Sequence, residues 1–397
     1  MDPIEEVLTR GVENVYPTRQ ELEKVLRSGK KLKLYQGFDP TGDKLHLGHM
    51  IGLRKLRQFQ KLGHHVIFLI GDGTGQAGDP SGKFTARNKF MTQDQLRQNA
   101  ADYVKQAANI VDFKGRNPVE ILYNNDWLGK LVYTEMLNIF GHFSVQQLLE
   151  RDLFQERMKK GEDVNIREFL YPVFQAYDSV AMKVDLEIGG SDQTFNMLAG
   201  RRLVKSMQGR DKFVLTTPLL TDSQGRKIGK TEGNIIALTD KPEDLFGKIM
   251  SLADDIIVKG LEYLTDVPIG EINEIGKSIE GGQNPMPYKK KLAFEIVAQL
   301  NNQSAAQKAQ DSFESTFQKG QKPENLETIE INNPKVNLID FLIENHLAES
   351  KSAAKRLVDQ SAIEIEGQTA KDQTAEFKNG QVVKIGKKRF IRVKVNS

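Results

Sequence analysis

The stretch that most limits what this chain can fold into runs from residue 31 to residue 83. Leu32 and Leu34 alternate with lysines ahead of Tyr35 and Phe38, the pattern of a strand over Lys31–Phe38. Pro40 and Gly42 then mark a turn. A helix is predicted over His46–Lys61, with Met50, Leu53, Leu56 and Phe59 on one face. His65–Ile70 follows as a run of apolar β-formers, the signature of a buried parallel strand. The loop after it, Gly71 to Lys83, has five glycines between positions 71 and 82. Strand, turn, helix, strand and glycine-rich loop come in the order of a nucleotide-binding βαβ unit. The loop is neither G-x-G-x-x-G nor the Walker pattern, so its glycines also suit plain tight turns.

The turn carries chemistry of its own. His46 and His49 lie three apart in the first turn of the predicted helix, on one side of it. A helix start offers free backbone N–H groups and a positive dipole end, which attract anions. Imidazole donors there can hold a phosphate while charge builds on it. A metal pair or a solvated helix start is the alternative. No third or fourth ligand cluster stands nearby to favour a metal.

Further along, Val119–Tyr123 reads as a strand, followed by helical segments around Lys130–Phe140 and Val145–Lys159. In the helix predicted over Phe169–Lys183, Tyr171, Gln175 and Asp178 share one face. Such a polar stripe either meets solvent or lines a pocket. Asp185–Ile188 is a strand ending in Gly189-Gly190-Ser191-Asp192-Gln193, and a helix over Gln193–Met207 repeats the strand–glycine–helix logic. After a strand over Phe213–Leu220 comes a polar, glycine-bearing loop, residues 222–234, holding Lys227 and Lys230. Two lysines on a mobile loop can swing onto a polyphosphate, although a solvated loop has the same composition.

From Pro242 the character changes. Helices are predicted over Pro242–Ala253, Glu271–Ile279, Pro287–Asn301 and Ser304–Gln318, with Lys289-Lys290-Lys291 facing either nucleic acid or solvent. Gly320–Pro334 reads as a linker. Beyond it, two short helices (Val336–Leu347 and Ser350–Gln360) and three strands (Ala362–Glu366, Val382–Ile385 and Arg389–Val395) make a small module. Residues 335–397 hold twelve Lys or Arg against eight Asp or Glu, which leaves the rest of the chain at −1 within a total of +3. A basic tail on a neutral body suits a polyanionic partner. There is no cysteine, so thiolate chemistry and disulfides are excluded. No apolar run reaches membrane-spanning length, and the acidic start is unlike a signal peptide, so a cytoplasmic location is expected.

His46-Leu47-Gly48-His49 together with Lys227-Ile228-Gly229-Lys230-Thr231 resembles the paired HIGH and KMSKS motifs of class I aminoacyl-tRNA synthetases. Three further stretches resemble the tyrosyl branch of that family: Tyr35 to Thr41, Gly78 to Lys83, and Tyr171-x-x-x-Gln175-x-x-Asp178 with the later Gly189 to Gln193. The tail resembles an S-four-like RNA-binding module, so the resemblance covers essentially the whole chain.

It implies an α/β architecture. A Rossmann-like parallel-sheet catalytic domain would span residues 1–235, with a dimer-interface insertion at about 125–160. An α-helical anticodon-side domain (236–320), a linker (321–334) and the RNA-binding module (335–397) would follow. The activity implied is ligation of L-tyrosine to tRNA(Tyr) through a tyrosyl-adenylate. ATP with Mg²⁺ would be the co-substrate, the metal being carried by the nucleotide rather than by a protein site, and the enzyme would be a homodimer.

By the same resemblance His46, His49 and Thr41 act on the phosphates, with Gly48 at the helix start. Lys83, Arg87, Lys227 and Lys230 reach the β- and γ-phosphates. Gly190 and Asp192 hold the ribose, and Asp39 lies near the adenylate. The phenol would meet Tyr35 and Asp178, the ammonium Asp79, Tyr171 and Gln175, and Gln193 belongs to the same pocket. The sequence departs from the family pattern in KIGKT for KMSKS, in Gln36, and in Thr194-Phe195 after Gln193. Two rivals remain: a tryptophanyl-tRNA synthetase, which shares the fold, and an RNA-binding protein without catalysis. A phenol both donates and accepts, whereas an indole N–H only donates, so Tyr35 with Asp178 suits the phenol.

Overall fold

A computed structural model describes residues 2–79, 91–225, 227–228, 235–315, 327–345, 347–348, 350–370, 372–386 and 389–395. The chain divides into two compact units, residues 1–307 and 308–397. Among the described residues no helix is long and apolar enough to cross a membrane.

The first unit is built on a six-stranded sheet: β1 (Asn14–Tyr16), β2 (Lys33–Phe38), β3 (His65–Ile70), β4 (Glu120–Tyr123), β5 (Leu186–Gly190) and β6 (Phe213–Thr217). The spatial order is β1-β6-β5-β2-β3-β4, and every pair is parallel except the edge pair β1–β6. Val66 to Ile70 are all buried, as expected of a strand covered on both faces. The β2–β3 ladder runs without a break from Lys33↔His65 to Phe38↔Ile70. Between β2 and β5, by contrast, only Leu34↔Leu186 and Tyr35↔Glu187 pair. The chain order reverses direction at that seam, so a crevice opens there at the carboxyl ends of the strands.

Helix Leu47–Lys61 follows β2 and buries Met50, Leu53, Leu56 and Phe59, the face that the periodicity predicts. Thr18 caps helix Arg19–Arg27 by accepting from the Glu21 N–H. Among the described residues five α-helices escape the sequence reading: Pro3–Thr9, Thr74–Ala77, Gln93–Ala107, Asn125–Leu128 and Ile257–Leu264. The predicted helical stretch Val145–Lys159 is two helices, Val145–Leu149 and Asp152–Lys159, because Arg151 is extended between them.

Helices Pro242–Met250, Ile257–Leu264, Ile269–Glu280 and Met286–Leu300 also belong to the first unit, and buried cations join them to the end of helix Pro3–Thr9 and to helix Leu47–Lys61. Arg10 donates to the carbonyls of Glu262 (2.9 Å) and Thr265 (2.6 Å), and Arg54 pairs with Asp266. Lys289 is neither a nucleic-acid contact nor a solvated residue, as the sequence reading has it. It is buried, donates to the Leu252 carbonyl and pairs with Asp254, while Lys291 pairs with Glu271.

The second unit has a five-stranded sheet in the order β10-β9-β12-β13-β7, formed by β7 (Glu327–Ile331), β9 (Ile363–Ile365), β10 (Gln368–Thr369), β12 (Val382–Ile385) and β13 (Arg389–Val395). A two-stranded ribbon joins β8 (Lys335–Asn337) to β11 (Thr374–Glu376). Residues 327–331 fall in the stretch read as linker, yet they form a strand parallel to β13. Ile329 and Ile331 are buried two apart on one face of β7, a short alternation that the polar flanks conceal. The predicted helix Val336–Leu347 begins only at Leu338, where Asn337 caps it. Phe341, Phe377, Val383, Ile391 and Val393 sit in the core of this unit.

Candidate active site

The described residues singled out above lie around the crevice between β2 and β5. His46 is the N-cap of helix Leu47–Lys61. Its Nδ1 accepts from the Gly48 N–H (3.1 Å), while His49 Nδ1 accepts from the His46 N–H (3.1 Å). The two rings lie 3.9 Å apart between centroids. Both Nδ1 atoms act as acceptors, which places the ring proton of each neutral imidazole on Nε2. The histidines therefore form a reciprocal capping box as well as a pair of donors.

The lysine loop is held at both of its described ends. Thr221 and Lys227 form an antiparallel bridge, and the Ile228 N–H donates to the Leu220 carbonyl (2.7 Å). Lys227 Nζ reaches Asp192 Oδ2 at 2.7 Å. On the far side, His46 bridges to Ala237, Leu47 N–H donates to Ile236, and Leu238 N–H donates to Leu45. The loop thus leaves the end of the sheet beside Asp192 and returns onto the histidine turn. Lys83, Arg87 and Lys230 lie outside the described residues.

Asp39 stands at the end of β2. Its Oδ1 accepts from the Thr74 hydroxyl (2.8 Å) and its Oδ2 from the Tyr171 hydroxyl (2.8 Å). Burial lifts its carboxyl to about 7, against the lowering effect of those two donors. Gly71 is what allows this approach, since a Cβ there would come within 1.9 Å of Asp39 Oδ1. Tyr171 thus meets Asp39, whereas Asp79, expected at the substrate's ammonium, accepts from Gln193 Nε2 (2.9 Å) and lies 3.6 Å from Arg151. Thr41 is exposed on the turn, and its N–H donates to the Asp39 carbonyl (2.8 Å). The Gln36 side chain lies against Gly52 of the histidine helix.

Helix Ile166–Ala181 supplies the polar stripe, and the structure decides against solvent: Tyr171 and Asp178 are buried and Gln175 is half-buried. Asp178 Oδ1 accepts from Trp127 Nε1 (2.8 Å) and Oδ2 from Asn124 Nδ2 (3.1 Å). Burial raises its pKa, opposed by these two bonds. Tyr35 does not touch Asp178 through a hydrogen bond. Its hydroxyl lies 3.0 Å from Ser179 Oγ, the residue next to Asp178.

Gln175 donates to Glu187 Oε1 (3.0 Å), and Asn196 Nδ2 donates both to Gln175 Oε1 (3.0 Å) and to Gln193 Oε1 (2.8 Å). Asn124, Trp127, Thr74, Ser179, Glu187 and Asn196 are missing from the sequence-derived set. The one available signal is positional, because Asn124 directly follows β4 at the carboxyl edge of the sheet, where ligands bind. No group of three His, Asp or Glu that could hold a metal occurs among the described residues.

A crevice at a topological switch point, with a histidine-capped helix start and with Lys227 held beside Asp192 at a strand end, is the equipment of an enzyme that handles a nucleotide's phosphates. Residues 27–318 match the model of the family described as tRNA synthetases class I (W and Y). The chain belongs to that family. Residues 317–393 match the tyrosine–tRNA ligase SYY-like C-terminal domain. Among curated relatives, the tyrosine–tRNA ligase of Dehalococcoides mccartyi is 40% identical over 390 residues, covering 98% of this chain and 97% of its own. That of Thermotoga maritima is 39% identical over 399 residues, covering 99% and 98%. A C-terminally truncated mitochondrial tyrosyl-tRNA synthetase from Aspergillus nidulans superposes with a TM-score of 0.66 at 25% identity, over 79% of this chain and 94% of that one.

Proposed function

We propose that the chain is a tyrosine–tRNA ligase, which activates L-tyrosine with ATP and transfers the tyrosyl group to the 3′-terminal adenosine of tRNA(Tyr). The observation that carries this reading is that residues 236–238, which follow the lysine motif, bond to the histidine-capped helix start, while Lys227 meets Asp192 and both Tyr35 and Asp178 are buried at the β2–β5 seam and the helix packed on it. In the first step the tyrosine carboxylate attacks the α-phosphorus. The bond to the bridging oxygen breaks, and pyrophosphate leaves with the bond's electron pair. No side chain has to act as nucleophile, so the protein's work is positioning and stabilising charge.

His46 and His49 donate to the phosphates, with the Gly48 end of the helix and the Thr41 hydroxyl beside them. Lys83, Arg87, Lys227 and Lys230 neutralise the β- and γ-phosphates, which arrive with Mg²⁺. Gly190 and Asp192 take the ribose, with Asp39 near the adenylate. Lys227 and Asp192, paired with one another here, exchange that contact for the nucleotide. Asp178 and Tyr35 read the phenol. Asp79, Tyr171, Gln175 and Gln193 surround the ammonium end.

The helices beyond Pro242 serve the anticodon side, and the basic C-terminal unit grips RNA. The enzyme works in the cytoplasm as a homodimer. Support for the dimer comes from the insertion, where Tyr133 and Leu137 lie one turn apart and are 73% and 49% exposed, with Val145 at 59%. Pyrophosphate exchange into ATP tests the reading. Exchange should depend on tyrosine; dependence on tryptophan instead, or on neither amino acid, would overturn it.

A further inference from the structure

Beneath the amino-acid pocket lie four polar side chains sealed from solvent: Tyr35, Ser179, Glu187 and Lys212, each 2% exposed or less. Lys212 and Glu187 form an ion pair that no step of the reaction uses. Lys212 Nζ also donates to Ser179 Oγ (2.8 Å), and Ser179 Oγ donates to Glu187 Oε2 (3.3 Å). The other oxygen of the same carboxylate, Oε1, accepts from Gln175.

We propose that Glu187, neutralised by Lys212, is the positioning residue of the amino-acid pocket, holding Tyr35 at the phenol end through Ser179 and Gln175 at the ammonium end directly. This inference rests on the tyrosine reading above and deepens it.

Three observations carry it. The first is connectivity. From Tyr35 the hydrogen bonds run through Ser179 to Glu187, then through Gln175, Asn196 and Gln193 to Asp79. Both ends of the substrate's site are therefore referred to one carboxylate.

The second is the energetics of the ion pair. Charges removed from water lose solvation that their mutual attraction barely recovers, and apolar packing of the same volume does as well or better. Stability alone does not account for this pair. What it provides is a charge-assisted anchor in a dry environment, where a cationic donor on one side and a carboxylate on the other leave the Ser179 hydroxyl no freedom. Burial lowers the pKa of Lys212 while the Glu187 charge opposes that shift, and burial followed by the same Glu187 charge raises Tyr35. The network is thus electrically felt at the phenol-reading hydroxyl.

The third is space. Gly200, on helix Thr194–Gln208, lies against all three groups: a Cβ there would come 2.6 Å from Lys212 Nζ, 3.1 Å from Ser179 Oγ and 3.3 Å from Glu187 Oε2.

The test uses the full-length chain in pyrophosphate exchange with tyrosine and with phenylalanine. Wild type is measured first, and absence of tyrosine-dependent exchange there would overturn the functional reading and this inference with it. Given that exchange, Ser179→Ala removes the hydroxyl that joins Tyr35 to Glu187 and Lys212, leaving the Lys212–Glu187 pair and the Gln175 contact in place. Gly200→Ala displaces the network without deleting a polar group. The Glu187→Gln/Lys212→Met pair removes both charges at nearly constant volume.

Each variant should raise the KM for tyrosine and lower the tyrosine-over-phenylalanine ratio of kcat/KM by about tenfold, the scale of one charge-assisted hydrogen bond. The KM for ATP should stay within about twofold of wild type. Should the charge-free double variant fail to fold, Ser179→Ala decides by itself. An unchanged tyrosine KM and discrimination ratio in Ser179→Ala, or an equal loss towards tyrosine and ATP, would overturn the proposal.

Discussion

His46 caps a helix in this structure and is proposed to hold phosphate, and a pair of substitutions separates the two roles. As N-cap it accepts the Gly48 N–H through Nδ1 (3.1 Å), and its own N–H is taken by His49. As a phosphate ligand it would donate through Nε2. Alanine removes both functions, so the helix start loses about 1 kcal/mol of capping in addition to the catalytic donor. Asparagine keeps the cap, because its side-chain oxygen can accept the same N–H at little or no cost in stability. It does not restore a donor at the position of Nε2. A preorganised donor aimed at developing phosphate charge contributes about 10²–10³ in rate.

His46→Asn should therefore denature within a few tenths of a kcal/mol of wild type while forming adenylate at least about 100-fold more slowly. His46→Ala should be as slow and about 1 kcal/mol less stable. Urea denaturation and the single-turnover rate of adenylate formation measure the two quantities independently. An adenylation rate equal to wild type in His46→Asn would reduce the histidine to a helix cap and remove it from the chemistry. Equal destabilisation of the two variants would refute the capping argument.

Three further outcomes are expected. Tyr133→Asp or Leu137→Glu on the exposed face of helix Tyr133–Phe140 should shift the protein from dimer to monomer in sedimentation, with little change in thermal midpoint; an unaltered dimer would place the interface elsewhere. Truncation after Gly320 should leave tyrosine activation near wild type and sharply impair tRNA charging, whereas normal charging would show that the C-terminal unit is no RNA grip. Asp39 titrates near 7 in the folded chain against 3.8 for the free carboxyl, so between about pH 4 and pH 7 the folded state binds more protons than the unfolded state. This group's contribution to stability falls as pH rises through that window and is level above it. Asp39→Asn should remove that slope, and identical stability–pH curves for variant and wild type would contradict the assignment.

Much of this architecture is legible along the chain because its causes act over a few residues. The histidine helix start, the apolar run Val66–Ile70 and the turn at Pro40 each depend on neighbours within a few positions. The order of strand, histidine turn and glycine loop, and the later lysine pair, points to the proposed phosphate site at the ends of parallel strands for the same reason. Reading failed where local signals were weak or contradicted. Polar flanks hid the two buried isoleucines of β7, and the lysine run 289–291 hid a cation that the fold buries against Asp254.

What tertiary structure alone decided is which polar groups share a dry site. Tyr35 finds Ser179 across 144 positions, Asp39 finds Tyr171 across 132, and Asp178 draws donors from Trp127 and Asn124 across 51 and 54. Neither spacing nor periodicity records these partners, since they depend on β2 lying between β3 and β5 in the sheet. Burial then makes each such pairing obligatory, because a polar group removed from water must find its partner wherever the packing has put one. Helix starts and strand runs are written in adjacent residues; the pocket's chemistry is written in the strand order, which only packing the whole sheet resolves.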